Sequence, residues 1–324
     1  MGRMNRLNWK SEALLFITAA IWGFAFIAQR AGMEHIGPFT FNTVRFALGS
    51  LFLVPLVLIK RRQSKLNPDF SETDSIHSWG PVIAGSVLFF GASLQQIGIV
   101  YTTAGKAGFI TGLYVILVPI FGLIWKQKPQ WGTWIGAILA AVGLYLLSFS
   151  GSFTISKGDL FVLFSAIFWA CHVLVVGWLS IRMDCIRLAC LQFATCSLLS
   201  LLAAGMLEKI QLQNIYHAGI PILYAGLLST GIAYTLQVVA QKHVPSSNAA
   251  IIMSLEAVFA VLGGWLFLEE IIPFRGLVGC GIMLLGMLLS QLYGSKKNIQ
   301  ILVDSSLSSL KDSMRVKSPH DESV

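Results

Sequence analysis

The apolar residues of this chain gather in about ten blocks of roughly 20 residues, joined by short polar loops. A helix of that length, rising about 1.5 Å per residue, matches a hydrocarbon layer roughly 30 Å thick. The pattern predicts membrane-spanning helices at 11–29, 39–59, 79–101, 107–125, 131–149, 159–178, 188–206, 218–240, 248–268 and 276–293. The block from Ala13 to Gln29 resembles a signal peptide in length, but Trp22, Phe24 and Phe26 crowd its end and no small-residue cleavage site precedes Arg30. It is expected to be a retained first helix. The two sizeable polar segments are the loop from Lys60 to Ser78 and the Ser-rich, charged stretch from Ser295 onward, which reads as a disordered cytoplasmic tail over 294–324.

Composition agrees that lipid is the main solvent. The 324 residues are 55% hydrophobic and 12% charged, with a mean hydropathy of +0.73, too much apolar surface for a soluble core. The net charge of +8 does not form a nucleic-acid-binding patch, because Lys and Arg sit at helix ends. With residues 1–10 inside, 17 of the 23 basic residues fall on the cytoplasmic side and five on the other, Arg45 lying within a helix. This bias predicts a multi-pass protein of the cell inner (plasma) membrane with both termini cytoplasmic. The five cysteines lack metal-ligand spacing and read as small buried residues.

The chain also matches itself. Ile21-Trp22-Gly23 falls on Phe168-Trp169-Ala170, and Asn42 to Phe46 on Ala189 to Phe193, both at an offset of 147. Gln96 meets Gln237 at 141, and Gly136 and Gly143 meet Gly279 and Gly286 at 143. Two five-helix repeats follow, at 11–149 and 159–293. Because five is odd, the second enters the membrane from the opposite face. The fold class expected is therefore all-α integral membrane, with ten transmembrane helices in two inverted five-helix repeats. Lys126-Gln127-Lys128 in the first half is replaced by Glu269-Glu270-Ile271 in the second, a sign reversal that suits loops on opposite sides.

Several stretches resemble the EamA family of the drug/metabolite transporter superfamily: Trp22-Gly23, Gly37-Pro38-Phe39 through Arg45, Thr111-Gly112-Leu113-Tyr114 through Pro119, and Leu255-Glu256 followed by Glu269. The resemblance covers residues 11–293. It implies a ten-helix transporter with a central cavity formed by the first, third and fourth helices of each half. Ala257 stands where the family usually has Pro, and Leu268 where it usually has Gly, so less bending is expected there.

Arg45 and Glu256 are the full charges deep in the predicted helices, and each costs a few kcal/mol at the bilayer centre unless paired or wetted. Glu256 is read as a protonatable coupling site or a contact for a cationic substrate, and alternatively as a carboxylate capping exposed backbone. Arg45 either holds an anionic substrate through its fork of donors or pins the second helix, and the resemblance, which puts that helix outside the cavity, favours the structural role. Polar residues at helical spacing complete the candidates. Ser86, Phe90, Ser93 and Gln96 share a stripe of the third helix, and Thr230, Tyr234 and Gln237 one of the eighth. Trp22, Phe26 and Gln29 form a face on the first helix, matched by Trp169, His172 and Val176 on the sixth. Tyr114 is a further cavity candidate, and Pro119 a cause for a kink in the fourth helix. Interhelical hydrogen bonding is the alternative for the amides and ordinary packing for the aromatics and His172.

No P-loop, HExxH or Gly-x-Ser-x-Gly motif is present, and no cofactor or metal is expected. The sequence predicts a non-enzymatic secondary transporter of a small polar metabolite, such as an amino acid or nucleoside, working by alternating access. Its partners are the substrate and membrane lipid, with a homodimer allowed. Two rivals remain: an intramembrane enzyme on a lipid-linked substrate, with His172 and Glu256 within hydrogen-bond reach, and a membrane scaffold without a polar path.

Overall fold

The computed structural model describes residues 2–66, 79–148, 156–268 and 274–290. The expected tail 294–324, the 67–78 part of the long loop and Glu269-Glu270-Ile271 lie outside the described residues. Among the described residues the chain is helical, without strands. Helices α1 (Gly2–Gly32), α2 (Pro38–Leu66) and α3 (Gly80–Tyr101) are followed by α4 (Ala104–Gly112), α5 (Tyr114–Ile124) and α6 (Trp131–Ser148). The second half holds α7 (Lys157–Ser180), α8 (Cys185–Leu207), the short α9 (Leu212–His217) and α10 (Gly219–Leu223). A π-helical stretch, Tyr224–Tyr234, runs on into α11 (Thr235–Gln241), and α12 (Ser246–Met253), α13 (Glu256–Leu268) and α14 (Phe274–Ser290) complete the chain. Helix α1 begins at Gly2, so residues 2–10 of the expected N-terminal segment are helical and continuous with the first span.

Eight helical segments among the described residues are long and apolar enough to cross a bilayer, and Trp131–Leu146 and Phe274–Ser290 are shorter apolar helices. Their outward faces are greasy: Leu51 is 65% exposed, Ile124 75% and Trp131 84%. Apolar exposure on this scale suits lipid and not water.

The helices of the two halves meet in antiparallel pairs. Ser50 Oγ of α2 donates to the Cys190 carbonyl of α8 at 3.0 Å, and Ser197 Oγ of α8 donates to the Thr43 carbonyl of α2 at 2.9 Å. On α1, Thr18 Oγ1 donates to Ala233 O at 3.1 Å and Trp22 Nε1 to Ser229 O at 3.3 Å, so the π-helical stretch runs against it. Helices α6 and α14 cross at glycines. A methyl group on Gly136 would stand 2.7 Å from the Gly286 carbonyl oxygen, and one on Gly286 2.8 Å from that of Gly136. Only residues without a side chain let backbones approach this closely.

Two expected spans are broken. The fourth divides at Leu113, between α4 and α5, and the ninth at Ser254-Leu255, between α12 and α13. The fourth helix breaks six residues before Pro119, which lies inside α5. At Leu113 the ladder tightens to three-residue bonds, Leu113 N to Ile110 O at 3.2 Å and Ile116 N to Leu113 O at 3.1 Å. The ninth breaks without a proline, against the expectation of less bending. Ser254 Oγ donates to the Ile251 carbonyl at 2.8 Å, the back-bonding that bends helices, and Leu255, Ala257 and Val258 all make three-residue bonds.

Candidate functional site

The breaks meet at the centre of the molecule, since α4 packs on α13 and α5 on α12. Tyr114 opens α5 and Glu256 opens α13, so each half-helix starts with a polar side chain. Both face one cavity, with about 440 Å³ of atom-free space out to its open mouth.

The aromatic wall centres on Tyr234. Its ring lies 4.5 Å from that of Trp22 and stacks at 6.1 Å on Trp169. Tyr234 is within electrostatic reach of both Arg45 and Glu256. Glu256 in turn lies beside Tyr114. Among the described residues, Gln29 Oε1, Gln237 Oε1, Trp169 Nε1 and Arg45 Nη2 are buried atoms of cavity-lining residues without a hydrogen-bond partner. So many unmet polar atoms around one space mark a place for a polar guest or ordered water.

Trp22, Gln29, Tyr114, Trp169, Tyr234, Gln237 and Glu256, all candidates from sequence, line this cavity. Four others do not. Gln96 is buried behind α1, its Nε2 donating to the Gln29 carbonyl at 3.2 Å. His172 sits behind Tyr234 and pairs through Nε2 with Gln192 Oε1 at 3.1 Å. Ser93 is buried away from the wall, and Phe90 is 49% exposed and stacks on Phe168 at 5.3 Å. No direct hydrogen bond joins His172 to Glu256 among the described residues, His172 Nε2 pairing with Gln192 instead. Arg45, expected to pin the second helix, reaches the cavity wall while also holding Asn42 Oδ1 at 2.9 Å.

Sequence reasoning missed Gln95 and Thr111, which line the cavity and are joined by Gln95 Nε2 donating to Thr111 Oγ1 at 2.9 Å. The available signal was burial pattern. Gln95 shares its face of α3 with Leu88, Ala92 and Ile99, each fully buried.

A helical bundle, apolar outside and enclosing an unsatisfied polar cavity, is a multi-pass membrane protein built around an internal binding site. The sequence profile of the EamA-like transporter family matches the chain twice, over residues 9–149 and 156–292. An "uncharacterized transporter" of Archaeoglobus fulgidus is 32% identical over 280 residues, covering 86% of this chain and 84% of that protein. The uncharacterized transporter YoaV of Bacillus subtilis is 21% identical, with 86% of this chain and 96% of its own covered. A solved crystal structure shares the fold at a TM-score of 0.70 and 14% identity, over 89% of this chain and 98% of that one. The chain belongs to the EamA-like transporter family and is a membrane transporter.

Proposed function

We propose that the protein is a secondary active transporter that moves a small polar metabolite, such as an amino acid or nucleoside, by alternating access. Its ten membrane helices form two inverted repeats, 11–149 and 159–293, with both termini in the cytoplasm of a cell whose inner membrane it crosses. The observation that carries this reading is the meeting of two broken helices, one from each half, at an unsatisfied polar cavity. Inversion is supported by reciprocal contacts. Ser50 and Ser197 are equivalent at the offset of 147, as are Thr43 and Cys190, and each serine bonds the other half's carbonyl. A two-fold axis in the membrane plane relates such a pair, and two halves so related can rock about a midplane site.

In this reading Trp22, Trp169 and Tyr234 take the flat part of the substrate, the amides of Gln29 and Gln237 its polar edge, and Glu256 couples transport to a proton. Phe90, Ser93, Gln96 and His172 support the wall from behind or outside. The test is uptake of a labelled panel, amino acids and nucleosides included, into proteoliposomes of wild type and Glu256→Gln with and without a proton gradient. Wild type is expected to move a panel member faster with the gradient, and Glu256→Gln to lose the gradient dependence. Absence of flux for every member in wild type overturns the reading.

A further inference from the structure

We propose that Arg45 is the anion-binding residue of the cavity, and that the substrate carries a carboxylate that docks on its guanidinium. This rests on the transporter reading and narrows it to small organic acids with a flat body.

Arg45 is 1% exposed and lines the cavity. Its surroundings hold it in place without neutralising it. Nε is taken by Asn42 Oδ1, while the Phe46 and Phe41 rings lie 4.6 Å and 5.7 Å from the guanidinium carbon. A ring satisfies the face of a guanidinium and leaves its edge donors free. Nη2 has no hydrogen-bond partner, and among the described residues no carboxylate lies within ion-pair distance.

Arg30 shows what a structural arginine looks like in the same protein. Its Nη1 closes on three carbonyls at the end of α3, those of Ile99, Val100 and Thr102, at 2.5 to 3.1 Å. Arg45 makes no such closure. A buried lone cation is costly in this setting, and an anionic guest offsets that cost. A carboxylate fits better than a phosphate ester. The fork of a guanidinium matches two oxygens sharing one charge, and no second cation lines the cavity among the described residues to meet a second charge. Trp169 and Tyr234, stacked on each other in the same cavity wall, offer the surface for a flat body.

The experiment is scintillation-proximity binding of labelled phenylacetate to the full-length protein in nanodiscs, with phenylacetamide, phenethylamine and phenyl phosphate as competitors. Wild type should bind phenylacetate at least about tenfold tighter than the amide, the scale of a charge-assisted hydrogen bond. Arg45→Gln should erase that ratio, and Arg45→Lys, a point charge without the fork, should keep part of it. A role confined to stability would move the thermal midpoint and leave the acid-to-amide ratio unchanged, which overturns the assignment. So does equal binding of acid and amide by wild type, preference for the amine or the phosphate, or no saturable phenylacetate binding. If Arg45→Gln fails to fold, the wild-type ratio and Arg45→Lys still decide. Flux of amine or amide in proteoliposomes without acid preference defeats this inference alone, whereas acid-selective binding without flux of any probe defeats the transporter reading alone.

Discussion

Gln95 and Gln96 are adjacent amides with different surroundings, because one residue is about 100° around a helix. Gln95 faces the cavity with Thr111, and Gln96 holds the backbone of α1 at Gln29. Gln95→Ala should therefore raise the substrate concentration for half-maximal transport several-fold, beside a stability cost of about 1 kcal/mol from the lost bond to Thr111. Gln96→Ala should cost a similar amount, about 1 kcal/mol, and leave the transport kinetics in place. Uptake kinetics and thermal unfolding of the two purified variants separate these outcomes. The pairing of Gln96 with Gln237 was legible in the sequence, but a repeat match reports equivalent positions and not the direction a side chain takes. Arg45 makes the same point: its helix belongs to the outer pairing of α2 with α8, yet its long side chain reaches the cavity from there.

At the scale of helices, the spans were readable because lipid demands long apolar runs whichever way a helix faces. Their breaks were not readable, because a half-helix buried in protein has the same composition as a whole one. Pro119 drew attention away from Leu113, and the missing proline at Ala257 argued for less bending where Ser254 supplies a break by bonding Ile251 O. Contacts between helices carry their own predictions. Gly136→Val drives a branched side chain into the Gly286 carbonyl and should cost about 1 to 3 kcal/mol, seen as a lower thermal midpoint in detergent. Glu208 accepts from Phe39 N, Thr40 N and Thr40 Oγ1 at 2.7 to 2.8 Å and so caps α2 from the other half. Glu208→Gln should lower stability by about 1 to 2 kcal/mol, a loss thermal unfolding detects.

For the whole molecule, both ends carry bonds between helices, of different kinds. The end holding the C-termini of α1, α3 and α8 is clasped by Arg30, by Glu208 and by Asp159, which accepts from Thr102 Oγ1 at 2.6 Å and from Ser156 N at 2.9 Å. At the opposite end, among the described residues, Lys60 and Asp184 form an ion pair at 2.6 Å with Lys60 half exposed. A pair so exposed contributes little, and Lys60→Gln should shift stability by no more than about 0.5 kcal/mol. In the proposed alternating access, rocking of the two halves would exchange which end is clasped, and the site would be reachable from both. Ser229 lines the cavity beside Trp22 and is 2% exposed. The direct measurement is labelling of Ser229→Cys, in a background with the five native cysteines replaced, by a membrane-impermeant maleimide in right-side-out and inside-out vesicles. Alternating access predicts labelling in both orientations, slowed in each by transported substrate. Labelling from one face alone, or from neither, would contradict it.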